Sequence, residues 1–148
     1  MPKAESTSKP PRRILVIDDD DDALFVLRTL LSAKGYAVET ASNGLDGLKA
    51  VALKIPDLII LHVIMPGMNG VQLTRKLKEQ PRTAAIPLIM LTALTDKKYM
   101  QAALFELDVD FYLTKPFDHD ELLDKVHHAI RFRRIAPDAV KDPEQTGH

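Results

Sequence analysis

Residues 57–70 read Asp57-Leu-Ile-Ile-Leu-His62-Val-Ile-Met-Pro-Gly-Met-Asn-Gly70. The first six form a nearly unbroken apolar run, which is typical of a strand that a parallel sheet covers on both faces. The next eight include proline, glycine and asparagine, which favour a loop. The segment therefore predicts a central strand that ends at His62, followed by a loop that leads into a helix.

Similar apolar runs recur along the chain and alternate with helical patterns, which predicts repeated βα units around one parallel sheet. The predicted strands are 13–17, 37–41, 57–62, 86–91 and 110–113, and the predicted helices lie near 20–34, 44–54, 69–80, 95–107 and 118–134. In the last helix, Asp118 and Glu121 have the spacing of a capping box. We therefore expect an α/β domain with five strands and five helices.

The composition is that of an ordinary globular domain of 148 residues, with a net charge of -1. This charge gives no support to a nucleic-acid or membrane partner. The lack of cysteine excludes disulfides and thiolate metal sites. No segment approaches the roughly 20 apolar residues that span a bilayer, and residues 1–11 lack a secretory signal, so we expect a cytoplasmic protein. The polar ends, 1–12 and 135–148, are predicted to be flexible tails around a single domain at 13–134.

Several polar residues follow the predicted strands directly. Asp18 and Asp19 follow the first strand, His62 closes the third, Thr92 follows the fourth and Lys115 follows the fifth. In an open parallel sheet, ligands bind outside the carboxyl ends of the strands. These residues therefore predict one site at that edge, where paired carboxylates would suit Mg²⁺.

The strand-end residues, together with Lys115-Pro116-Phe117, resemble the receiver domain of bacterial two-component response regulators. The resemblance covers residues 13–134. It implies a doubly wound, CheY-like or flavodoxin-like sheet with strand order 2-1-3-4-5, and a cis bond between Lys115 and Pro116. Members of this family take a phosphoryl group on an aspartate at the end of the third strand, and here that position holds His62.

By resemblance, Asp18, Asp19 and the backbone carbonyl of Ile64 would hold Mg²⁺. An acidic start to the first helix is the alternative for the two aspartates, because helix dipoles favour acids there. Imidazole provides no oxygen nucleophile, and it prefers metals such as Zn, Cu or Ni to Mg²⁺. Losing one anion should also weaken Mg²⁺ binding. We therefore expect weak or absent Mg²⁺, with a transition metal held by Asp18, Asp19 and His62 as an open alternative.

The resemblance also implies roles for three further residues. Lys115 would neutralise a bound phosphoryl group, Thr92 would donate a hydrogen bond to it, and Tyr112 would change rotamer as Thr92 moves. Ordinary strand packing is the alternative for Thr92 and Tyr112, because both residue types favour strands. Without a phosphoryl group, packing becomes the preferred interpretation of both.

The functional prediction is a single-domain response regulator in phosphorelay signalling, with the aspartyl switch disabled or replaced. It would act through protein contacts, with a sensor histidine kinase or other signalling proteins meeting the face of its fourth helix, fifth strand and fifth helix. The sequence leaves open whether the chain forms a homodimer. We do not expect an enzyme, and any phosphotransfer would be to the chain itself.

Other interpretations of His62 stay open. The chain could be an ordinary receiver in which the histidine is a natural or introduced substitution. Alternatively, His62 or another residue could accept the phosphoryl group, since an imidazole nitrogen can be a covalent nucleophile. In the simplest case His62 only contacts a neighbouring acid.

Overall fold

The computed structural model describes residues 10–93 and 109–132. Five strands and five helices lie within these ranges. The strands are β1 (Arg13–Ile17), β2 (Ala37–Ala41), β3 (Leu58–His62), β4 (Leu88–Ala93) and β5 (Phe111–Lys115). The helices are α1 (Asp21–Ser32), α2 (Gly44–Leu53), α3 (Gly70–Lys78), α4 (Pro81–Ala84) and α5 (His119–Arg131).

The strands form one parallel sheet in the order β2-β1-β3-β4-β5. Its registers align Ile17 with both Ala41 and Leu61, and His62 with Leu91. On the far side, Ala93 of β4 aligns with Lys115 of β5. The predicted α/β fold class and its strand order are therefore confirmed, and all five strand ends point to one edge.

Apolar side chains cover both faces of the sheet because successive residues of a strand point to opposite faces. On one face, Leu27 of α1 and Val126 of α5 belong to the same core cluster as Ile60, and on the other, Val51 of α2 and Leu73 of α3 belong to the same core cluster as Ile59. Residues 58–61 of β3 are fully buried. The central strand that precedes His62 is thus held by core on both sides.

The element ends differ from the predicted ones by small amounts. β4 begins at Leu88 rather than residue 86 because Pro87 lacks a backbone N–H for the ladder. β5 extends to Lys115, which pairs with Ala93. The short α4 was not predicted, although Pro81 at its first position is a common helix start. The predicted helix at 95–107 lies outside the described residues.

Two helix starts differ in how they are capped. The predicted capping box at Asp118 is wrong, because Asp118 is the N-cap residue of α5 but its side chain makes no capping hydrogen bond. A complete capping box instead opens α3, where the Gln72 N–H donates to Asn69 Oδ1 and the Asn69 N–H donates to Gln72 Oε1, both at 2.9 Å. This box fixes the point at which the loop after His62 turns into a helix.

Gly70 holds the start of α3 against the end of β3. A Cβ atom on Gly70 would lie 2.6 Å from the His62 carbonyl oxygen and 2.9 Å from Val63 Cα, both backbone atoms. The Gly70 N–H donates to the Val63 carbonyl at 2.7 Å. Only glycine permits this approach, so the backbone at His62 is fixed by α3 as well as by the sheet.

The N-terminal edge of the sheet is closed by charged side chains. The backbone N–H of Arg13 donates to Asp57 Oδ2 at 2.8 Å, and its guanidinium donates to Glu39 and to the Ile55 carbonyl, each at 3.1 Å. These contacts tie β1 to its neighbours at the edge opposite to His62. No helix in the described parts of the chain is long and apolar enough to cross a membrane.

We expect Gly70→Ala to lower the free energy of unfolding by about 1–3 kcal/mol, because the new methyl group meets backbone that cannot rotate away. Chemical denaturation followed by circular dichroism measures the change. Lys76→Ala, at an exposed position of the same helix, is the control and should stay within about 0.5 kcal/mol of the parent. Equal stability of Gly70→Ala and the parent would contradict the close approach.

Candidate functional site

The carboxyl edge of the sheet brings three of the predicted site residues together. Asp18 follows β1 directly, His62 is the last residue of β3, and Lys115 is the last residue of β5. Asp18 Oδ2 lies 2.8 Å from Lys115 Nζ and 3.9 Å from His62 Nδ1. A single carboxylate oxygen is therefore the point on which the cluster converges.

Asp18 is buried, with 1% of its surface exposed, and both of its carboxylate oxygens accept hydrogen bonds. Oδ1 accepts from the Asp20 backbone N–H at 3.0 Å, and Oδ2 accepts from Lys115 Nζ at 2.8 Å. The Asp18 N–H donates to the Ala41 carbonyl at 3.1 Å. A buried carboxylate is costly unless it is paired and hydrogen-bonded, and these contacts meet that need.

Lys115 reaches Asp18 from the edge strand β5, which is separated from β1 by β3 and β4. Its backbone pairs with Ala93, and the bond to Pro116 is cis, as the resemblance implied. The lysine side chain is 24% exposed, so its ammonium lies at the boundary between the buried carboxylate and solvent. This position suits a cation that neutralises Asp18.

His62 ends the strand β3, which lies in the sheet between β1 and β5. Its side chain is 13% exposed. The 3.9 Å between His62 Nδ1 and Asp18 Oδ2 exceeds hydrogen-bond length, so this contact is electrostatic, and its strength depends on the protonation of the imidazole. His62 therefore places a nitrogen base next to a carboxylate that is already bound by lysine.

The remaining predicted site residues lie around this cluster. Thr92 is fully buried in β4, and its hydroxyl donates to the Ala93 carbonyl at 3.3 Å. Tyr112 in β5 is 36% exposed. Asp19 is exposed next to Asp18, and Ile64 is exposed on the loop after His62. Thr92 and Tyr112 thus occupy ordinary strand positions, and their roles as a switch stay a prediction.

The donor set does not fit the metal sites considered from the sequence. Within residues 10–93 and 109–132, the structure contains no group of three or more His, Asp or Glu side chains that could hold a metal ion. Both Asp18 oxygens accept hydrogen bonds, one of them from the Lys115 ammonium, and His62 offers a nitrogen donor, whereas Mg²⁺ prefers oxygen ligands. With the ammonium on Asp18, this arrangement of side chains does not fit a divalent cation at Asp18 Oδ2.

A groove beside the cluster was missed by sequence analysis. It has a volume of about 270 Å³ and is lined by Val26 of α1, Lys115 of β5 and Phe117 after β5. Phe25, the neighbour of Val26, is 69% exposed. The sequence carried a signal, because Phe25 and Val26 are large apolar residues outside the stripe by which α1 packs on the sheet.

A second exposed feature lies on β5 and α5. The rings of Phe111 and His128 meet edge to face with centroids 5.4 Å apart, and His128 also lies 4.7 Å from Phe132. Lys125 lies over Phe111 and Arg131 lies over Phe132, at 5.1 and 5.6 Å from the ring centroids. The two elements thus present a surface that is both aromatic and cationic.

Comparison with known families matches residues 14–127 to the response regulator receiver domain. The response regulator PleD of Caulobacter vibrioides is 38% identical over 122 residues, which cover 82% of this chain and 26% of that protein. The DNA-binding dual master transcriptional regulator RpaA of Synechocystis is 39% identical over 116 residues, which cover 77% and 47%. The chain therefore spans between a quarter and a half of the length of these relatives.

Solved structures give the same result. A signal receiver domain of a signal transduction histidine kinase from Syntrophus aciditrophicus superposes with a TM-score of 0.77 at 33% identity, covering 85% of this chain and 96% of that one. A response regulator receiver domain protein from Clostridium thermocellum superposes with a TM-score of 0.74 at 30% identity, covering 81% and 94%. The similarity extends over nearly the whole of each related structure.

The contact between Asp18 and Lys115 predicts a measurable coupling. Lys115→Met should lower the free energy of unfolding by about 1–3 kcal/mol, because it leaves a buried carboxylate without its cation. Asp18→Asn should cost less, because the amide oxygen can still accept from Asp20 and the partly exposed lysine can regain water. The loss in the double variant should be smaller than the sum of the two single losses.

Urea denaturation of the four proteins at one pH measures this coupling as a double-mutant cycle. Lys49→Met, at an exposed position of α2, controls for the removal of a positive charge. Losses that add to within about 0.5 kcal/mol would mean that the two residues are energetically independent, contrary to the 2.8 Å contact.

Proposed function

The chain belongs to the response regulator receiver domain family, and we propose that it serves two-component signalling through protein contacts, without taking a phosphoryl group at the end of β3. The observation that carries this proposal is the imidazole of His62, 3.9 Å from Asp18 at the carboxyl edge of the sheet. We propose residues 13–134 as the receiver domain, and the family match at 14–127 supports this proposal.

The chemistry of the site supports this proposal. Phosphoryl transfer requires a positioned nucleophile and cations that neutralise the charge on the transferred group. His62 replaces an anionic oxygen by a nitrogen base, and receiver domains typically bind the Mg²⁺ that this site does not fit. The Lys115 ammonium, which would meet an incoming phosphoryl group, is instead bound to Asp18 at 2.8 Å. The site thus lacks a carboxylate acceptor, and its cation is already paired.

Partner binding then depends on the surface rather than on a covalent change. The described part of the proposed partner face comprises β5 and α5, on which Tyr112 is 36% exposed and Phe132 is 64% exposed. Exposed aromatic residues and arginine are enriched at protein interfaces, and Arg131 lies over the Phe132 ring. We propose a sensor histidine kinase or another signalling protein as the partner.

A phosphorylation test can also distinguish the proposal from the alternative that His62 itself accepts a phosphoryl group. His62 lies near Asp18, and an acid-paired imidazole can be a covalent nucleophile. Phosphorylation on nitrogen would therefore give a different product from phosphorylation on a carboxylate. An acyl phosphate is labile to base and to hydroxylamine, whereas a phosphoramidate is labile to acid. The stability of any adduct identifies the atom that carries it.

We expect no mass gain when the parent protein is incubated with Mg²⁺ and a small-molecule phosphodonor such as acetyl phosphate. His62→Asp should gain one phosphoryl group, because it restores an oxygen nucleophile on an otherwise unchanged edge. His62→Asn is the matched control, since it has the shape of aspartate but no anionic oxygen, and it should gain nothing. Intact-mass spectrometry measures the mass gain of all three proteins.

Two results would contradict the proposal. A phosphoryl gain by the parent protein would show that another acceptor operates, and peptide mapping with the lability test would locate it. A failure of His62→Asp to gain mass while it folds normally would show that residue 62 is not what prevents phosphorylation.

A further inference from the structure

The charges at the carboxyl edge are balanced by the chain itself. Asp18 is the only buried charged residue in the part of the chain that the structure describes. Its carboxylate is matched by one ammonium, that of Lys115, at 2.8 Å. His62 contributes no negative charge, and Asp19 is exposed, where water can solvate it. One buried anion and one cation therefore form a closed pair.

The position of the lysine conflicts with a metal ion on the same carboxylate. A divalent cation bound to Asp18 Oδ2 would lie within a few ångströms of Lys115 Nζ, because both need the same oxygen. Like charges at such distances repel strongly, and more so where water is partly excluded. A metal ion could bind Asp18 Oδ2 only after displacing the lysine, and with His62 in place the ammonium has no carboxylate at position 62 to move to.

We propose that Lys115 is the resident counter-ion of Asp18 and takes the place of a divalent cation, so that the site is assembled without metal. This inference rests on the proposed function, because a site that takes no phosphoryl group does not need a metal ion to neutralise one. It goes further by identifying the group that neutralises the carboxylate. The stability of the domain should then not depend on the Mg²⁺ concentration.

The test is isothermal titration with Mg²⁺, together with thermal unfolding at constant ionic strength. The parent protein should give no saturable heat, and its Tm should not change with Mg²⁺. Lys115→Met should bind Mg²⁺ at least about tenfold more tightly than the parent, because its two aspartates then face no ammonium, and its Tm should rise with Mg²⁺ by mass action. Lys115→Gln serves the same purpose if the methionine variant does not fold.

Three controls assign the effect to individual groups. Lys115→Arg keeps the positive charge and should remain unresponsive to Mg²⁺. Lys49→Met removes a charge from an exposed position of α2 and should behave as the parent does. In the Lys115→Met background, Asp18→Asn should abolish the response, because it removes the carboxylate that the metal would bind.

Either of two results would overturn the inference. Mg²⁺ binding by the parent with an affinity equal to that of Lys115→Met would show that the lysine does not compete. A lack of binding by both would show that another feature of the site excludes the metal. Neither result bears on whether the parent accepts a phosphoryl group, which intact mass measures separately, so failure of this inference is distinguishable from failure of the proposed function.

Discussion

The carboxyl edge of the sheet depends on one requirement, which is that the buried Asp18 carboxylate must be neutralised. An unpaired buried charge is strongly destabilising, and here the partner lies 97 residues later in the chain. Lys115 belongs to the edge strand β5, while Asp18 follows β1, and β3 and β4 lie between those strands in the sheet. The ion pair therefore forms only when four strands stand in register, which makes the local chemistry a consequence of the complete sheet.

His62 lies at the end of the strand between β1 and β4, where its backbone is fixed from several sides. Residues 58–61 are buried in both apolar layers, and Gly70 approaches the His62 carbonyl so closely that no side chain fits there. The side chain itself lies at the rim of the core and is 13% exposed. The fold consequently does not depend on the chemistry of this side chain, and replacing His62 by a residue of similar size should leave the scaffold in place.

The sequence predicted the fold well because each strand has an apolar run and because resemblance supplied the strand order. It predicted the ends of elements less well, since these depend on single contacts, such as the pairing of Lys115 with Ala93. Asp118 has the spacing of a capping box yet makes no capping bond, while Asn69 and Gln72 form one that was overlooked within a loop. At the site, the structure brings Asp18, His62 and Lys115 together as the strand ends predicted, but the contact of Lys115 with Asp18 was not foreseen, because spacing along a chain does not determine which charges pair across a sheet.

Under the proposed function, the pairing of Lys115 makes the charge of the residue at position 62 matter as well as its lack of an oxygen nucleophile. With an acid at 62, two neighbouring carboxylates would share one ammonium, and the surplus negative charge would favour an added cation. With His62, one carboxylate and one ammonium balance each other, and the imidazole adds no anion. Because Asp18 is buried and its ammonium partner is not, removal of Lys115 leaves the carboxylate uncompensated, whereas removal of Asp18 leaves a lysine that water can still solvate. Under the proposed function, the absence of an acceptor oxygen and the absence of a metal site thus both follow from the same missing charge.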